Sequence, residues 1–207
     1  MKPLRVQFLF DFGSPNAYLC HKVLADIESR TGASFEYVPI LLGGLFKLAN
    51  NRSPVEAFAQ IPNKLAYDRL EMQRFITRHR LTSFKFNPHF PVNTLTIMRL
   101  AVAAQASGCG PQVIAALYAA MWEQGRNMAD PVEIVDVLRQ AGLDGAALLA
   151  KTQDPEVKAC LMANTQSACE RGAFGSPSFF VGDELFFGKD RLRDVEEEIV
   201  SQQSGQH

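Results

Sequence analysis

The chain has 207 residues, of which 47% are hydrophobic and 21% charged, and its formal net charge is -1. This composition is typical of a globular protein with one sizeable core, and a net charge so near zero gives no reason to expect a nucleic-acid partner. No run approaches the ~20 apolar residues that span a bilayer, and the N-terminus lacks the pattern of a signal peptide, so we expect a soluble cytoplasmic protein.

The first forty residues predict a strand, a helix and a second strand. Residues 5–11 are a short apolar run, and residues 35–40 are another. Between them, Ser14 is a typical helix N-cap with Pro15 at the first helical position, and Gly32 lies where the helix would end. A strand, helix and strand in this order predict a right-handed parallel crossover, which opens an α/β domain.

From about 41 to 172 the sequence predicts helices in succession and no convincing strand. Segments 94–107 and 111–123 are rich in Ala, Leu, Val and Met, as packed helices are. Further helix starts are predicted where a capping residue precedes a proline, at Ser53, Asp130 and Asp154.

Strand patterns return after Gly172. Residues 178–182 and 184–187 are apolar and meet at Gly182-Asp183, a two-residue loop typical of a tight hairpin. A final amphipathic helix is predicted to begin at Asp190.

The whole order predicts an α/β protein with a thioredoxin-like fold that a large all-helical insertion interrupts, as in DsbA-like proteins. We place the discontinuous thioredoxin-like domain at 1–42 and 173–207, and the helical domain at 43–172.

The four cysteines form no CxxC pair and show no metal-ligand spacing. Cys160 and Cys169 are predicted to share one helix, where nine residues at ~100° each place them on opposite faces, so they should not form a disulfide. We expect four free cysteines in a reducing compartment, and no metal site.

Three short segments are candidates for chemistry. Ser14 follows the first strand, where ligands of open α/β sheets collect and where a helix N-terminus favours an anion. Taken alone, Ser-Pro at a helix start is more typical of a plain helix cap, and this is the alternative. Ser176-Pro177 directly precedes a predicted strand. At this position the thioredoxin fold typically has a cis proline, and the residue before that proline binds a peptide-like ligand. An ordinary trans proline is the alternative. Asp190 is either the cap of the last helix or an acceptor for an ammonium group.

Five motifs, in order, carry a resemblance to a known family over residues of about 5 to 198. They are FDFGSPNAYL (10–19), NNRSP (50–54), IPNKLAYDRLEMQRF (61–75), FPVNTLTIMRL (90–100) and GAFGSPSFFVGDELFFGKDRL (172–192). Together they resemble the 2-hydroxychromene-2-carboxylate isomerases and the related kappa-class glutathione transferases.

The resemblance implies a glutathione site and an aromatic substrate. In that family the serine that matches Ser14 contacts the glutathione sulfur, and the residue that matches Ser176 bonds the glutathione backbone. The γ-glutamyl end is held by residues that match Phe187, Gly188, Lys189 and Asp190. Residues that match Lys47, Asn51 and Asn93 lie around the substrate pocket.

The chain departs from the family at three places. Ser176 replaces a residue that is usually aliphatic, Lys189 stands where Gln, Asn or Ser is common, and Arg52-Ser53-Pro54 follows Asn51 in place of a lysine and two prolines.

The implied activity is a glutathione-dependent isomerisation of a small aromatic carboxylate by reversible thiolate addition, with Ser14 as the donor to the sulfur. A kappa-like glutathione transferase and a non-catalytic thioredoxin-fold binding module are the alternatives; a disulfide oxidoreductase would need a cysteine pair that the first helix lacks. A homodimer is one assembly that the resemblance allows.

Overall fold

The computed structural model describes residues 4–205, and it has a thioredoxin-like α/β fold with many helices, as predicted. Four strands form one mixed sheet, and ten helices surround it. In chain order the elements are β1 (Arg5–Phe10), α1 (Pro15–Thr31), β2 (Ser34–Pro39), α2 (Leu42–Leu48), α3 (Pro54–Ala57), α4 (Pro62–Arg78), α5 (Leu95–Ala106), α6 (Gly110–Trp122), α7 (Pro131–Gln140), α8 (Gly145–Lys151), α9 (Pro155–Glu170), β3 (Ser178–Val181), β4 (Glu184–Phe187) and α10 (Leu192–Ser204).

The sheet has the strand order β2-β1-β3-β4. β1 pairs with β2 in parallel, with Arg5 opposite Ser34, so the predicted crossover is confirmed. β3 runs antiparallel to both β1 and β4, which confirms the predicted hairpin. The carboxyl end of β1, the start of α1 and the loop before β3 therefore meet at one edge of the sheet.

Both faces of the sheet are covered. On one face the rings of Phe8 and Phe179 stack with centroids 5.2 Å apart, inside the main hydrophobic core. On the other face Leu9 and Phe180 pack with Ala168 of α9 in a second, smaller cluster. The alternation follows from the pleat of a strand, which turns successive side chains to opposite faces.

The region from 41 to 172 holds eight helices and, as far as residues 4–205 go, no strand. The predicted succession of helices is confirmed, and residues 79–94 form an irregular loop within it. Asn87 holds this loop, because its buried side chain donates to the carbonyls of Met121 (2.8 Å) and Arg126 (2.9 Å). Pro88 and Pro91 lack the N–H that a helix needs here, and the Phe90–Pro91 peptide is cis.

The last helix begins later than predicted. Lys189–Arg191 form a short 3-10 turn, α10 starts at Leu192, and Arg191 occupies the cap position. Asp190 is therefore not the cap of this helix; its carboxylate accepts a hydrogen bond from Lys189 instead.

Cys160 and Cys169 both lie in α9, as predicted, and all four cysteines are free. Within residues 4–205 no group of His, Cys, Asp or Glu side chains is arranged to hold a metal ion. No helix in the described part of the chain is long and apolar enough to cross a membrane. The domain boundaries stay a prediction; the main core contains buried residues from the sheet and from the helical block alike.

His21 gives the fold a pH dependence. Its Nδ1 lies 2.8 Å from the hydroxyl of Tyr37, and its ring stacks on Tyr118 at a centroid distance of 4.9 Å. Burial is the largest effect and, with the nearby charge of Lys22, lowers the pKa of His21 to about 4, while Glu123 acts in the opposite direction.

Because the unfolded chain binds this proton near pH 6.5 and the folded chain does not, we expect acid to weaken folding. The free energy of unfolding should fall by at most about 3 kcal/mol through His21 as the pH drops from 6.5 to 4. Urea denaturation of the wild type and of His21→Gln over this range measures the effect as the difference between the two slopes. Equal slopes would show that His21 is not responsible.

Candidate functional site

Ser14 lies at the start of α1, and its side chain makes two hydrogen bonds. Its side-chain oxygen accepts from the N–H of Ala17 at 3.2 Å, so the predicted helix cap is confirmed. Its hydroxyl donates to the carbonyl of Ser176 at 2.9 Å, across 162 positions of sequence. The residue is only 5% exposed. Two segments that the sequence separates widely are thus in direct contact.

The Ser176–Pro177 peptide is cis, and its loop lies beside Ser14, as predicted. The Ser176 hydroxyl turns away from Ser14 and donates to the carbonyl of Leu9 at 3.3 Å. This bond accounts for the polar residue at a usually aliphatic position. The backbone of Ser176, rather than its side chain, faces the candidate site.

Two backbone donors at this place are left unpaired. Among residues 4–205, neither the N–H of Asn16 nor the N–H of Ser176 has a hydrogen-bond acceptor. An N–H in the first turn of a helix has no partner within the helix, and it points toward the end where an anion is favoured. The Ser14 hydroxyl lies with these donors, so the arrangement suits an anionic or peptide-like ligand.

Phe187 and Gly188 are joined to the same loop. The N–H of Gly188 donates to the carbonyl of Pro177 at 2.9 Å, and Gly188 has the positive φ of 95° that this turn requires. The ring of Phe187 packs on Phe174 with centroids 4.5 Å apart. A Cβ on Gly175 would lie 2.7 Å from the Phe187 ring, so a larger residue there would force this partly exposed ring to move.

Lys189 and Asp190 lie in a groove that does not include Ser14. Lys189 is 4% exposed; its ammonium donates to Asp190 and lies 5.5 Å from the ring centroid of Phe75. The side chain of Asp190 is 63% exposed. Both residues line a pocket of about 350 Å³ between α1, α4 and α10. Lys189 and Asp190, which are part of the predicted γ-glutamyl site, therefore lie beside the later turns of α1 and not at its first turn.

Of the three predicted substrate residues, only Asn51 is hydrogen-bonded to the loop before β3 in the described part of the chain. The Asn51 side chain donates to the carbonyl of Phe174 at 2.9 Å, and the Asn93 side chain accepts from the N–H of Leu95 at 3.1 Å. Lys47 is exposed on α2, and within the described structure its side chain makes no hydrogen bond. The structure therefore joins Asn51 to the loop that carries Ser176, and it shows no such contact for Lys47 or Asn93 among residues 4–205.

Sequence reasoning missed Asp11, a buried carboxylate directly before the Ser14 loop. It is 1% exposed, and its oxygens accept from the N–H groups of Gly13 and Leu42, each at 2.8 Å. Burial raises the pKa of Asp11, and these hydrogen bonds act against the rise. An acidic residue at the end of an apolar run was the available signal.

Trp122 was missed as well. Its indole N–H donates to the carbonyl of Phe12 at 2.7 Å, which fixes the loop between β1 and α1 from the side of α6. The N–H of Phe12 points to the sulfur of Met98 at 3.4 Å. Nothing in the pattern of the sequence around the only tryptophan indicated this contact.

The family description "DSBA-like thioredoxin domain" matches residues 5–200, which is nearly the whole chain. The chain belongs to this family.

Comparison with known proteins confirms the resemblance that the motifs indicated. The chain is 27% identical to a 2-hydroxychromene-2-carboxylate isomerase of Sphingobium xenophagum, over 94% of this chain and 97% of the relative. It is 24% identical to the human glutathione S-transferase kappa 1, over 92% and 88%. A solved structure of a 2-hydroxychromene-2-carboxylate isomerase superposes with a TM-score of 0.83 at 23% identity, covering 98% of both chains.

Proposed function

We propose that this protein is a glutathione-dependent isomerase. Its substrate would be a conjugated aromatic carboxylate such as 2-hydroxychromene-2-carboxylate, converted by reversible thiolate addition. The observation that carries the proposal is the group of donors at the start of α1, where the Ser14 hydroxyl lies with the unpaired N–H groups of Asn16 and Ser176. The names of the isomerase and transferase relatives support an enzyme of this kind.

The residues present fit glutathione. The carbonyl and N–H of Ser176 would pair with its peptide backbone, and the Ser14 hydroxyl would turn from the Ser176 carbonyl to donate to the sulfur. The exposed carboxylate of Asp190, which the buried ammonium of Lys189 holds in place, would accept from the ammonium of the γ-glutamyl end. Bound glutathione would supply the thiol nucleophile.

The chain's own contribution is to hold and stabilise the charged form of that thiol. A free thiol has a pKa of ~8.5 and is mostly protonated at neutral pH, but a helix N-terminus favours the thiolate. Ser14 acts as a hydrogen-bond donor and not as a base. Lys47 would attract the substrate carboxylate, and Asn51 and Asn93 would border its ring.

Disulfide exchange does not suit this site. The start of α1 has no cysteine, and the nearest, Cys20, is fully buried. Burial also raises the pKa of its thiol well above the usual value, which disfavours the reactive thiolate. A kappa-like glutathione transferase is the second candidate, since the human kappa enzyme matches the chain over almost its whole length. A non-catalytic binding module is the third, and the homodimer and the cytoplasmic location stay predictions.

One measurement distinguishes the isomerase from the transferase. In a single cuvette that holds the protein, glutathione and a chromene carboxylate, we expect the substrate absorbance to change while free thiol stays constant, because an isomerase releases its thiol in every cycle. A transferase would consume one thiol for each product formed, and that result would contradict the proposal. A binding module would show neither change, and it would leave the pKa of bound glutathione near its value in solution.

A further inference from the structure

Asp11 lies where the first residues of three helices come together. One carboxylate oxygen accepts from the N–H of Gly13, which precedes the cap of α1, and the other accepts from the N–H of Leu42, the first residue of α2. Its backbone carbonyl accepts from the N–H of Ser14 at 3.0 Å. One residue thus holds both the loop that carries Ser14 and the start of a second helix.

The third helix is α5, whose cap residue Thr94 lies beside Asp11. The Thr94 hydroxyl makes no capping bond. The Thr94 side chain lies beside Asp11 at Gly13, where it helps to lower the pKa of the Asp11 carboxyl. The packing is close, since a Cβ on Gly13 would lie 3.2 Å from both an Asp11 oxygen and the Thr94 methyl. Asn93 is the residue directly before Thr94.

Only a carboxylate can accept from both N–H groups at this position. Both oxygens of an ionised Asp accept hydrogen bonds, whereas the isosteric Asn offers one acceptor and one donor. An Asn here would face a backbone N–H with its own NH2, and a buried donor without an acceptor is destabilising. α2 has no side-chain cap of its own at Leu41, so Asp11 is the acceptor on which its first amide depends.

We propose that Asp11 is a positioning residue that couples Ser14 to the segments that carry the substrate side chains. These segments are α2, which leads to Lys47 and Asn51, and the start of α5, which follows Asn93. Asp11 does not touch the ligand itself, because it is buried and both of its oxygens are occupied. Its action on turnover rests on the proposed function, whereas its hold on the two helices does not.

The first test uses the protein without ligand. In Asp11→Asn, amide hydrogen exchange followed by NMR should be about tenfold or more faster at Gly13 or Leu42, because one of these amides loses its acceptor. Thr152→Val is the matched control: Thr152 is also buried and donates to a carbonyl, that of Leu149 at 2.7 Å, but at the end of α8. Unchanged exchange at both amides in Asp11→Asn would overturn the proposal.

The second test asks whether Asp11 acts through Ser14. We expect Asp11→Asn to lower kcat about tenfold, since a small misplacement of a catalytic group has effects of this size, but less than twofold when Ser14 is already alanine. A purely structural role would lower kcat by the same factor in both backgrounds, which would also overturn the proposal.

Calorimetry with glutathione separates this inference from the proposed function. If the wild type does not bind glutathione, the proposed function fails, and the exchange result decides the role of Asp11 alone. If Asp11→Asn does not fold, Thr94→Val replaces it, because that change removes only the hydroxyl and should give smaller changes in the same direction.

Discussion

Replacing Ser14 by alanine is expected to slow turnover about 10- to 100-fold while glutathione still binds. The variant loses one charge-assisted hydrogen bond to the thiolate, which is worth about 1.5–3 kcal/mol. The peptide-binding groups of Ser176 and the charges of Lys189 and Asp190 remain, so affinity should change little. Steady-state rates and calorimetric titration with glutathione measure the two quantities separately.

The same substitution also removes a helix cap, so it needs a control. Asp144→Ala deletes the cap of α8, whose side chain accepts from the N–H of Ala147 at 3.0 Å, and it should lower stability by a similar ~1 kcal/mol without affecting turnover. Wild-type rates in Ser14→Ala would mean that Ser14 is only a cap. A loss of glutathione binding would show that Ser14 contributes to the affinity for glutathione and not to the rate of turnover.

Trp122→Ala is expected to destabilise the fold by about 3–5 kcal/mol, the range for removing a large buried aromatic side chain. Trp122 is fully buried and packs on Phe84 and Phe90, each at a centroid distance of 6.1 Å. It also supplies the indole N–H that holds Phe12. Thermal unfolding followed by circular dichroism should show a Tm about 6–20 °C lower than that of the wild type.

Trp122→Phe separates packing from hydrogen bonding. It keeps an aromatic ring but leaves the Phe12 carbonyl without its donor, so we expect a smaller loss of about 1–3 kcal/mol. Because that carbonyl is two residues from Ser14, turnover should fall in this variant as well. If Trp122→Ala unfolded within about 1 kcal/mol of the wild type, the indole would not be a main support of this core.

Most helix starts were predictable because their signals are local. The side chain of Ser14 accepts from the N–H of Ala17, and that of Ser53 accepts from the N–H of Glu56, in each case three residues ahead. Such short-range bonds can be predicted from the residue types alone. The hairpin at Gly182 likewise depends on adjacent residues. The family resemblance added the cis proline and the candidate glutathione residues, which no periodicity contains.

Of the two departures from the predicted elements, one comes from a distant contact and the other from a neighbouring side chain. Residues 79–94 form a loop because Asn87 reaches Met121, 34 positions away. Asp190 is not a cap because its carboxylate accepts a hydrogen bond from Lys189, whose buried side chain lies over the ring of Phe75 in α4. The partners of Asn87 are distant and prevail because its side chain is buried and must be hydrogen-bonded, whereas the partner of Asp190 is its direct neighbour in sequence.

The sequence by itself determined the order of strands and helices and the polar residue at the start of α1, because propensity, caps and apolar runs act over a few residues. Only the tertiary structure decided that the Ser14 hydroxyl meets Ser176, 162 positions away, and that Asp11 meets Leu42, 31 positions away. Such pairs depend on the folded sheet, which brings the end of β1 and the loop before β3 to one edge. Most polar groups at that edge pair with one another, and among residues 4–205 the N–H groups of Asn16 and Ser176, which stay unpaired, form the candidate site with the Ser14 hydroxyl.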